Sequence, residues 1–359
     1  MLATATRPEA VVMDGLEVRR LITPDAHEIR RARCRLHRKS VVIGAVGIAS
    51  YAALLFLDWG VVAKFLFAAT LVLAMTAAAT SVMHDGNHAS FSTSRTVNRL
   101  AGYTADVLGA SSWIWRFKHN NLHHGNTNVV GVDADIDQAP FARLATEQPW
   151  KPWHRYQHLY MWVLYGFLTL QWFLFSDFID LAKKGVGEHR FPRQARGRDV
   201  MAITAGKALH ATWALGIPML FHRWWVVIAF YCVCSWLVGL LLATMFQLAH
   251  CVEEADFAAV DAPRRAEDFV AHQMATTVDV RCRTRVGSRA LRWLMGGLDF
   301  QVEHHLAPRL PHTVYPLVAA RLEAACAASG VALRAHATPW TAIRSHGRWL
   351  KRMGRRPGS

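Results

Sequence analysis

Nineteen histidines are spread unevenly through the chain, and eight of them sit in patterns that could do chemistry. In HDGNH, His84 and His88 stand four residues apart; in HNNLHH, His119 and His123 repeat that spacing with His124 adjacent. In QVEHH, His304 and His305 follow Gln301, and His250 closes a long apolar run at QLAH. On a helix, positions i and i+4 lie on one face, so each spaced pair can aim two imidazoles into one small volume. A neutral imidazole binds Zn, Cu, Fe or Ni, and its proton exchanges near neutral pH. One HxxxH pair in so histidine-rich a chain is as readily a surface or packing feature. A proton relay needs only a few histidines, more often mixed with buried carboxylates inside membrane spans. Three clusters plus His250, all at the ends of apolar runs, point instead to a shared metal site.

The number of ligands narrows the metal. A structural zinc takes four ligands and a catalytic zinc three, so eight histidines exceed the needs of one zinc, and no HExxH motif is present. Eight nitrogens suit two metals of higher coordination number with positions left open, and a histidine-rich di-iron site is the natural candidate. VDADID (132–137) has the acid density of a calcium loop, but Gln138 stands where that loop requires Gly; no calcium site is expected there. The histidines at 27, 37, 154, 158, 189, 210, 222, 336 and 346 lack such company and are expected at surfaces or interfaces, while His272 and His312 could belong to either set.

Such a site needs elements to hold it, and the composition says what kind. The chain has 359 residues, is 52% hydrophobic and carries a formal charge of +15. Four apolar stretches, 41–57, 61–83, 202–221 and 224–249, approach or exceed the roughly 20 residues that cross a bilayer as helix. They form two hairpins joined by 58–60 and 222–223. The outer flanks are basic, with eight Lys or Arg in 17–39 and six in 177–200, which places the ends of both hairpins, and both chain termini, on the cytoplasmic side. The apolar stretch 159–175 and the shorter 105–115 read as interfacial or re-entrant helices, because a span at 159–175 would invert the second hairpin. The last twenty residues hold six Lys or Arg and no acid and read as a solvated or headgroup-touching tail. Basic flanks beside apolar spans argue for a membrane surface rather than nucleic acid. Six cysteines without a CxxC pair fit a reduced, cytoplasm-facing protein, and the N-terminus lacks a signal-peptide pattern.

HDGNHASFS, KHNNLHHGNTNVVGVDADID and GGLDFQVEHHLAPRLP together resemble the three histidine boxes of membrane fatty acid desaturases. The similarity is greatest to the branch whose third box opens with Gln, which includes front-end and bacterial acyl-lipid or acyl-CoA desaturases. It covers roughly residues 40–320. The resemblance implies an all-α integral membrane protein in which four spans and interfacial helices cap a cytoplasmic helical di-iron domain. It implies as iron ligands His84, His88, His119, His123, His124, His250, His304 and His305. Gln301 takes the place of a histidine found in other branches and is a candidate ligand or neighbour of the site. The layout expected is a basic N-terminal segment (1–40), the desaturase domain (41–320) and a C-terminal segment with a basic tail (321–359). Two departures stand out: Ala307 replaces the Phe that usually follows the third box, and the HPGG signature of a fused haem domain is absent.

The reaction implied is dioxygen-dependent insertion of a cis double bond into the acyl chain of an acyl-CoA or membrane lipid. Removing hydrogen from an unactivated methylene exceeds the reach of side chains, so cofactor and dioxygen carry the chemistry while the protein orients and excludes water. Electrons are expected from a separate ferredoxin- or reductase-type protein. Carboxylates that orient ligand imidazoles are expected, with Asp85, Glu303 and Asp299 as candidates, and Trp113, Trp115, Trp172 and Trp293 could line an acyl tunnel or sit at the membrane interface. Hydroxylation of an alkyl, sphingolipid or carotenoid substrate by the same kind of centre is the alternative outcome. A metal transporter is more distant, because its ligands would lie within the spans.

Overall fold

The computed structural model describes residues 15–259 and 269–358. The apolar run 41–57 forms the second half of a 31-residue helix, Ala26–Phe56. This helix begins at a capping box: the Asp25 carboxylate accepts the Glu28 N–H at 2.8 Å, and Glu28 accepts the Asp25 N–H at 2.8 Å. The basic residues 30–39 therefore ride on the same unbroken helix as the apolar segment. After a tight joint the chain returns as Gly60–Ala77, widens to π-helical turns over Ala78–Met83, and resumes as His84–Asn87. Ala26–Phe56, Gly60–Asn87 and Trp224–His250 are each long and apolar enough to cross a membrane. These helices make the chain a membrane protein.

The fourth expected span behaves differently. Residues 202–221 fall within a helix Gly197–Ala211, a π-helical stretch Thr212–Gly216 and a short turn Ile217–Met219, and they are less apolar than the other three. Lys207 is accommodated there by burial of its ammonium against the Asp177 carboxylate at 2.5 Å and the Gly109 and Trp172 carbonyls, each at 2.7 Å. Pro152–Tyr165 and Leu168–Lys183 are together apolar enough to cross but bend by 70° at the break between them. The structure thus offers three spans, or four if that bent pair crosses.

The C-terminal third folds back on the inner ends of these helices. Gln301–Leu306 and Tyr315–Ala328 pack with Gly15–Ile22 through Val18, Ile22, Val302, Val318 and Leu322, all buried. Among the described residues, sheet is limited to two two-stranded pieces, Gly185–Val186 with His189–Arg190 and Asp279–Val280 with Ala335–His336. The solvated tail expected from the last twenty residues is overturned over Pro339–Met353. That helix buries Ala342, Ser345, His346, Trp349, Leu350 and Met353, a one-sided i, i+3, i+4, i+7 stripe beneath a basic outer face. Trp349 stacks on Phe257 with ring centres 4.8 Å apart and planes 8° off parallel.

Candidate metal centre

The first two histidine clusters are set by local departures from regular helix, whereas His304 and His305 ride on the short α-helix Gln301–Leu306. His84 follows the π-helical Ala78–Met83 directly, and His119 and His123 lie within another π-helical stretch, Phe117–His123. At about 100° per residue, an α-helix would turn a residue five positions on roughly 140° away from the first. The wider π turn, closed by the His124 N–H to the His119 carbonyl at 3.0 Å, brings that residue back. His119 and His124 consequently meet with their Nε2 atoms 3.2 Å apart, while His119 and His123 stack at 5.2 Å. π-Helical turns inside α-helices are rare and concentrate at functional sites.

Two glycines allow the boxes to converge. A Cβ on Gly86, the middle of HDGNH, would lie 2.4 Å from the Gly102 backbone nitrogen, so only Gly lets this turn cross the Arg95–Gly102 helix. Gly296, at φ +61°, would place a Cβ 2.1 Å from the Thr80 carbonyl oxygen. Beside it the Thr80 hydroxyl donates to the Leu294 carbonyl at 2.7 Å. The Gly-Gly turn before the third box is thus seated on the π-helical turn before the first.

All eight histidines come together and all are buried. One nitrogen from each of His84, His88, His119 and His304 lies within 4.8 Å of the others, and His123, His250 and His305 form a second such group. His124 sits between them, with ring centres 4.6 Å from His304 and 4.2 Å from His305. The Nε2 atoms of His84, His88, His123, His250, His304 and His305 and the Nδ1 of His124 are buried without a hydrogen-bond partner among the described residues. An unsatisfied buried polar atom costs about 1–3 kcal/mol, so such a convergence of empty nitrogens is what a bound cation would satisfy. Burial also keeps these rings neutral and ready to ligate: it holds His119 down to about 3 and His124, His304 and His305 well below the usual range, with neighbouring histidines adding to the effect. His123 differs. Burial opposes its charge, but the Asp133 and Asp135 carboxylates outweigh that and raise its pKa.

The opposite ring nitrogens are held from outside. His123 Nδ1 meets the buried Asp133 carboxylate at 3.0 Å, and the same oxygen accepts the Asn128 N–H at 2.9 Å. His305 Nδ1 meets Gln273 Oε1 at 2.8 Å; the Gln273 amide is oriented by donating to the His124 carbonyl at 3.0 Å. His304 Nδ1 lies 3.0 Å from the Tyr315 hydroxyl and His250 Nδ1 3.4 Å from the Thr276 carbonyl. Such partners fix tautomer and ring angle.

A cavity of about 770 Å³ ends on this cluster, with His84, His119, His304 and Gln301 in its wall. The rest is mainly apolar, including Trp115, Trp172, Phe246 and Leu168. Gln247 and Cys232 both line it, and their separation along one helix corresponds to about 22 Å at 1.5 Å per residue. The cavity is a mainly apolar slot with the histidines in its wall; Lys118, Asp135, Gln138, Gln171 and Gln247 are among its other polar lining residues.

A family model described as fatty acid desaturase matches residues 57–337. A sn-1 linoleoyl-lipid 6-desaturase of Arthrospira platensis is 32% identical over 82% of this chain and 79% of its own length. The protein of the same description from Synechocystis sp. is 30% identical over 89% of each chain. The acyl-lipid (8-3)-desaturase of Physcomitrium patens is 32% identical over 88% of this chain and 66% of its own. The chain belongs to the fatty acid desaturase family. It is an oxidoreductase, a fatty acyl desaturase.

Of the carboxylates expected to orient the desaturase's histidines, none does so at hydrogen-bond distance. Asp85 lies 3.7 Å from His84 Nδ1 and spends one oxygen on His312, accepting from its backbone N–H and meeting its Nδ1, each at 3.0 Å. Asp299 pairs with Arg292 at 3.4 Å, and burial raises it to about 6. Glu303 is buried beside Asp279, and burial, then that neighbour, push its pKa well up. The orienting acid is Asp133, with Asp135 3.8 Å from His119 Nδ1. Both belong to VDADID, whose acids serve histidines ten to sixteen positions back rather than calcium. Gln273, Tyr315 and Thr276 carried no sequence signal.

Gln301 is buried, its Oε1 unpartnered among the described residues, and it lines the cavity together with His84, His119 and His304. Trp115 and Trp172 line the cavity; Trp113 instead packs on Phe191 and Trp293 is 39% exposed. The surface reading fails for His154, His210, His336 and His346, which are buried. His154, His210 and His346 are satisfied locally, for example His346 by the Tyr165 hydroxyl at 2.8 Å and the Cys251 carbonyl at 2.7 Å.

Proposed function

We propose that the desaturase acts on the acyl chain of a membrane lipid at a di-iron centre. The irons would be held by His84, His88, His119 and His304 on one side and His123, His250 and His305 on the other, with His124 between. Convergence of these eight buried histidines on the inner end of the apolar cavity carries the reading. Bound there, two irons would supply the dioxygen-dependent two-electron oxidation that taking hydrogens from adjacent methylenes requires.

The protein's own contribution is positional. The apolar wall takes up the chain by burying its methylenes, worth about 0.8 kcal/mol each, and excludes water from the reacting carbons. Trp115, stacked on His119 at 4.3 Å, and Gln301 border the chain where it passes the histidines. Asp133, Gln273, Thr276 and Tyr315 hold the ring nitrogens that face away, leaving the others directed at the metals.

A lipid-bound rather than CoA-bound substrate is favoured by relatives named for lipid substrates. Their differing bond positions leave regiochemistry outside the proposal. Basic flanks at 17–39 and 177–200 favour a cytoplasmic face for the centre and both termini, where a separate acidic electron-transfer protein would dock. Expression in a host of defined lipid composition, with His305→Ala as control, tests the reading. New double bonds are expected in lipid-bound acyl chains with the unaltered chain only. Iron-loaded protein with a working reductase that yields no new unsaturation, or yields hydroxylated chains, would overturn it.

A further inference from the structure

A second cavity, about 300 Å³, shares the Ser112–Arg116 helix with the acyl slot: Trp113 and Arg116 line the one, Trp115 the other. Its character is opposite. Four guanidinium groups, from Arg99, Arg116, Arg193 and Arg198, face two carboxylates, Asp106 and Asp199. Arg193 and Asp199 neutralise each other in a two-point ion pair at 2.6 and 3.0 Å. Arg99, Arg116 and Arg198 are left against Asp106, which already accepts the Ser112 N–H at 3.3 Å.

None of these three guanidiniums makes a hydrogen bond or ion pair among the described residues. For Arg99 and Arg198 solvent suffices, since both are exposed. Arg116 is half-buried, and burial lowers its pKa; a partly desolvated guanidinium with five donors and no acceptor calls for an anion. Guanidinium forks match phosphate oxygens two at a time.

The rim indicates where that phosphate comes from. Tyr103 lines the cavity and is partly exposed, and Leu100, Val107 and Met201, each next in sequence to a wall residue, are open to solvent, Leu100 at 63% and Met201 at 68%. Apolar side chains next to unpaired arginines suit a molecule with a phosphate at one end and hydrocarbon at the other, lying in a bilayer surface. We propose that this cavity binds the headgroup phosphate of a membrane phospholipid through Arg99, Arg116 and Arg198. The site does not depend on which acyl chain is desaturated or on the metal.

Native mass spectrometry of the full chain in detergent tests it, with phosphatidylglycerol, an uncharged diglycosyl diacylglycerol and coenzyme A as probes. Phosphatidylglycerol is expected to bind at least about tenfold more tightly than the glycolipid, and each arginine near a lipid surface contributes about fivefold. The triple substitution Arg99→Ala, Arg116→Ala, Arg198→Ala should therefore cost on the order of a hundredfold. Asp106→Asn removes the opposing carboxylate and should tighten phosphatidylglycerol severalfold, a gain that a misfolded protein cannot imitate. Equal retention of the two lipids, unchanged phosphatidylglycerol binding in a folded triple variant, or no gain from Asp106→Asn would overturn the site. Tight coenzyme A binding that phosphatidylglycerol fails to displace would overturn the lipid as its occupant.

Discussion

His123 Nδ1 and the Asp133 carboxylate meet at 3.0 Å, and neither side chain has any exposure to solvent. The carboxylate thereby fixes which nitrogen of His123 carries the proton and which is left for a metal. It also accepts the backbone N–H groups of Asn128 and Asp135, each at 2.9 Å, so the acid is itself held rigidly.

Asp133→Asn keeps the shape but removes the charge. Loss of such an outer partner typically lowers metal affinity 10–100-fold. Iron retained after dialysis against a graded chelator should fall by that order, with product formation falling in step. Iron retention equal to the unaltered chain would remove Asp133 from this role.

Gln301 separates from the histidines by the same pair of measurements. Its Oε1 is buried and unpartnered among the described residues, on the cavity wall that His304 also lines; as a wall residue it predicts that Gln301→Ala leaves iron content intact while turnover falls or the double-bond position shifts. Iron loss as great as that of His305→Ala would instead make Gln301 a ligand.

The acyl slot can be closed from its wall. Ala243 is buried there, seven residues before His250, roughly 10 Å along the helix. Ala243→Phe should abolish or shorten the range of chains accepted, at unchanged iron content. Activity on the original substrates at unaltered rate would show that the chain lies elsewhere.

Gly86→Ala tests the crossing of the first box with the Arg95–Gly102 helix. Because the intruding atom would meet backbone rather than a movable side chain, the cost should exceed the usual 1–3 kcal/mol of overpacking. Thermal unfolding in detergent and iron content should both fall.

Asp106 adds a pH dependence. Burial raises it to about 6 from 3.8, so between these values the folded protein holds a proton that the unfolded chain has released. Stability from this group therefore falls as pH rises from about 4 to about 6 and stays lower above that. Asp106→Asn should flatten the thermal-stability profile over that window and raise stability at pH 7 by about 1–3 kcal/mol. An unchanged slope would mean that the carboxyl titrates as if in water.

Much of the site was legible in the chain because ligands are constrained by type: the seven histidines picked out by spacing, and His250 by its place at the end of an apolar run, converge. The helical and membrane character followed from apolar length, for the same reason that backbone groups in lipid must be satisfied internally. What escaped was set by tertiary contact. Asp133 lay in view within VDADID, but its partner is fixed by how the loop folds back on His123. Gln273 and Tyr315 look like any buried polar residues until the third box docks between them. The helix Pro339–Met353 was hidden by its four Lys or Arg residues, whose charge masks the stripe led by Ala342, Trp349 and Leu350. The span at 202–221 reads as apolar by eye, yet Lys207 within it is held by a carboxylate from another element.

The Gly296 turn against Thr80 bears on how the enzyme comes to be loaded. One metal group takes His84, His88 and His119 from the first third of the chain and His304 from near its end, and the seat that aligns them is made when Gly296 closes on Thr80. A ribosome must therefore release almost the whole polypeptide before either complete ligand group exists. Any metal these groups hold would enter late, after residues 304 and 305 have emerged, with the membrane helices in place while the first two boxes wait half-built.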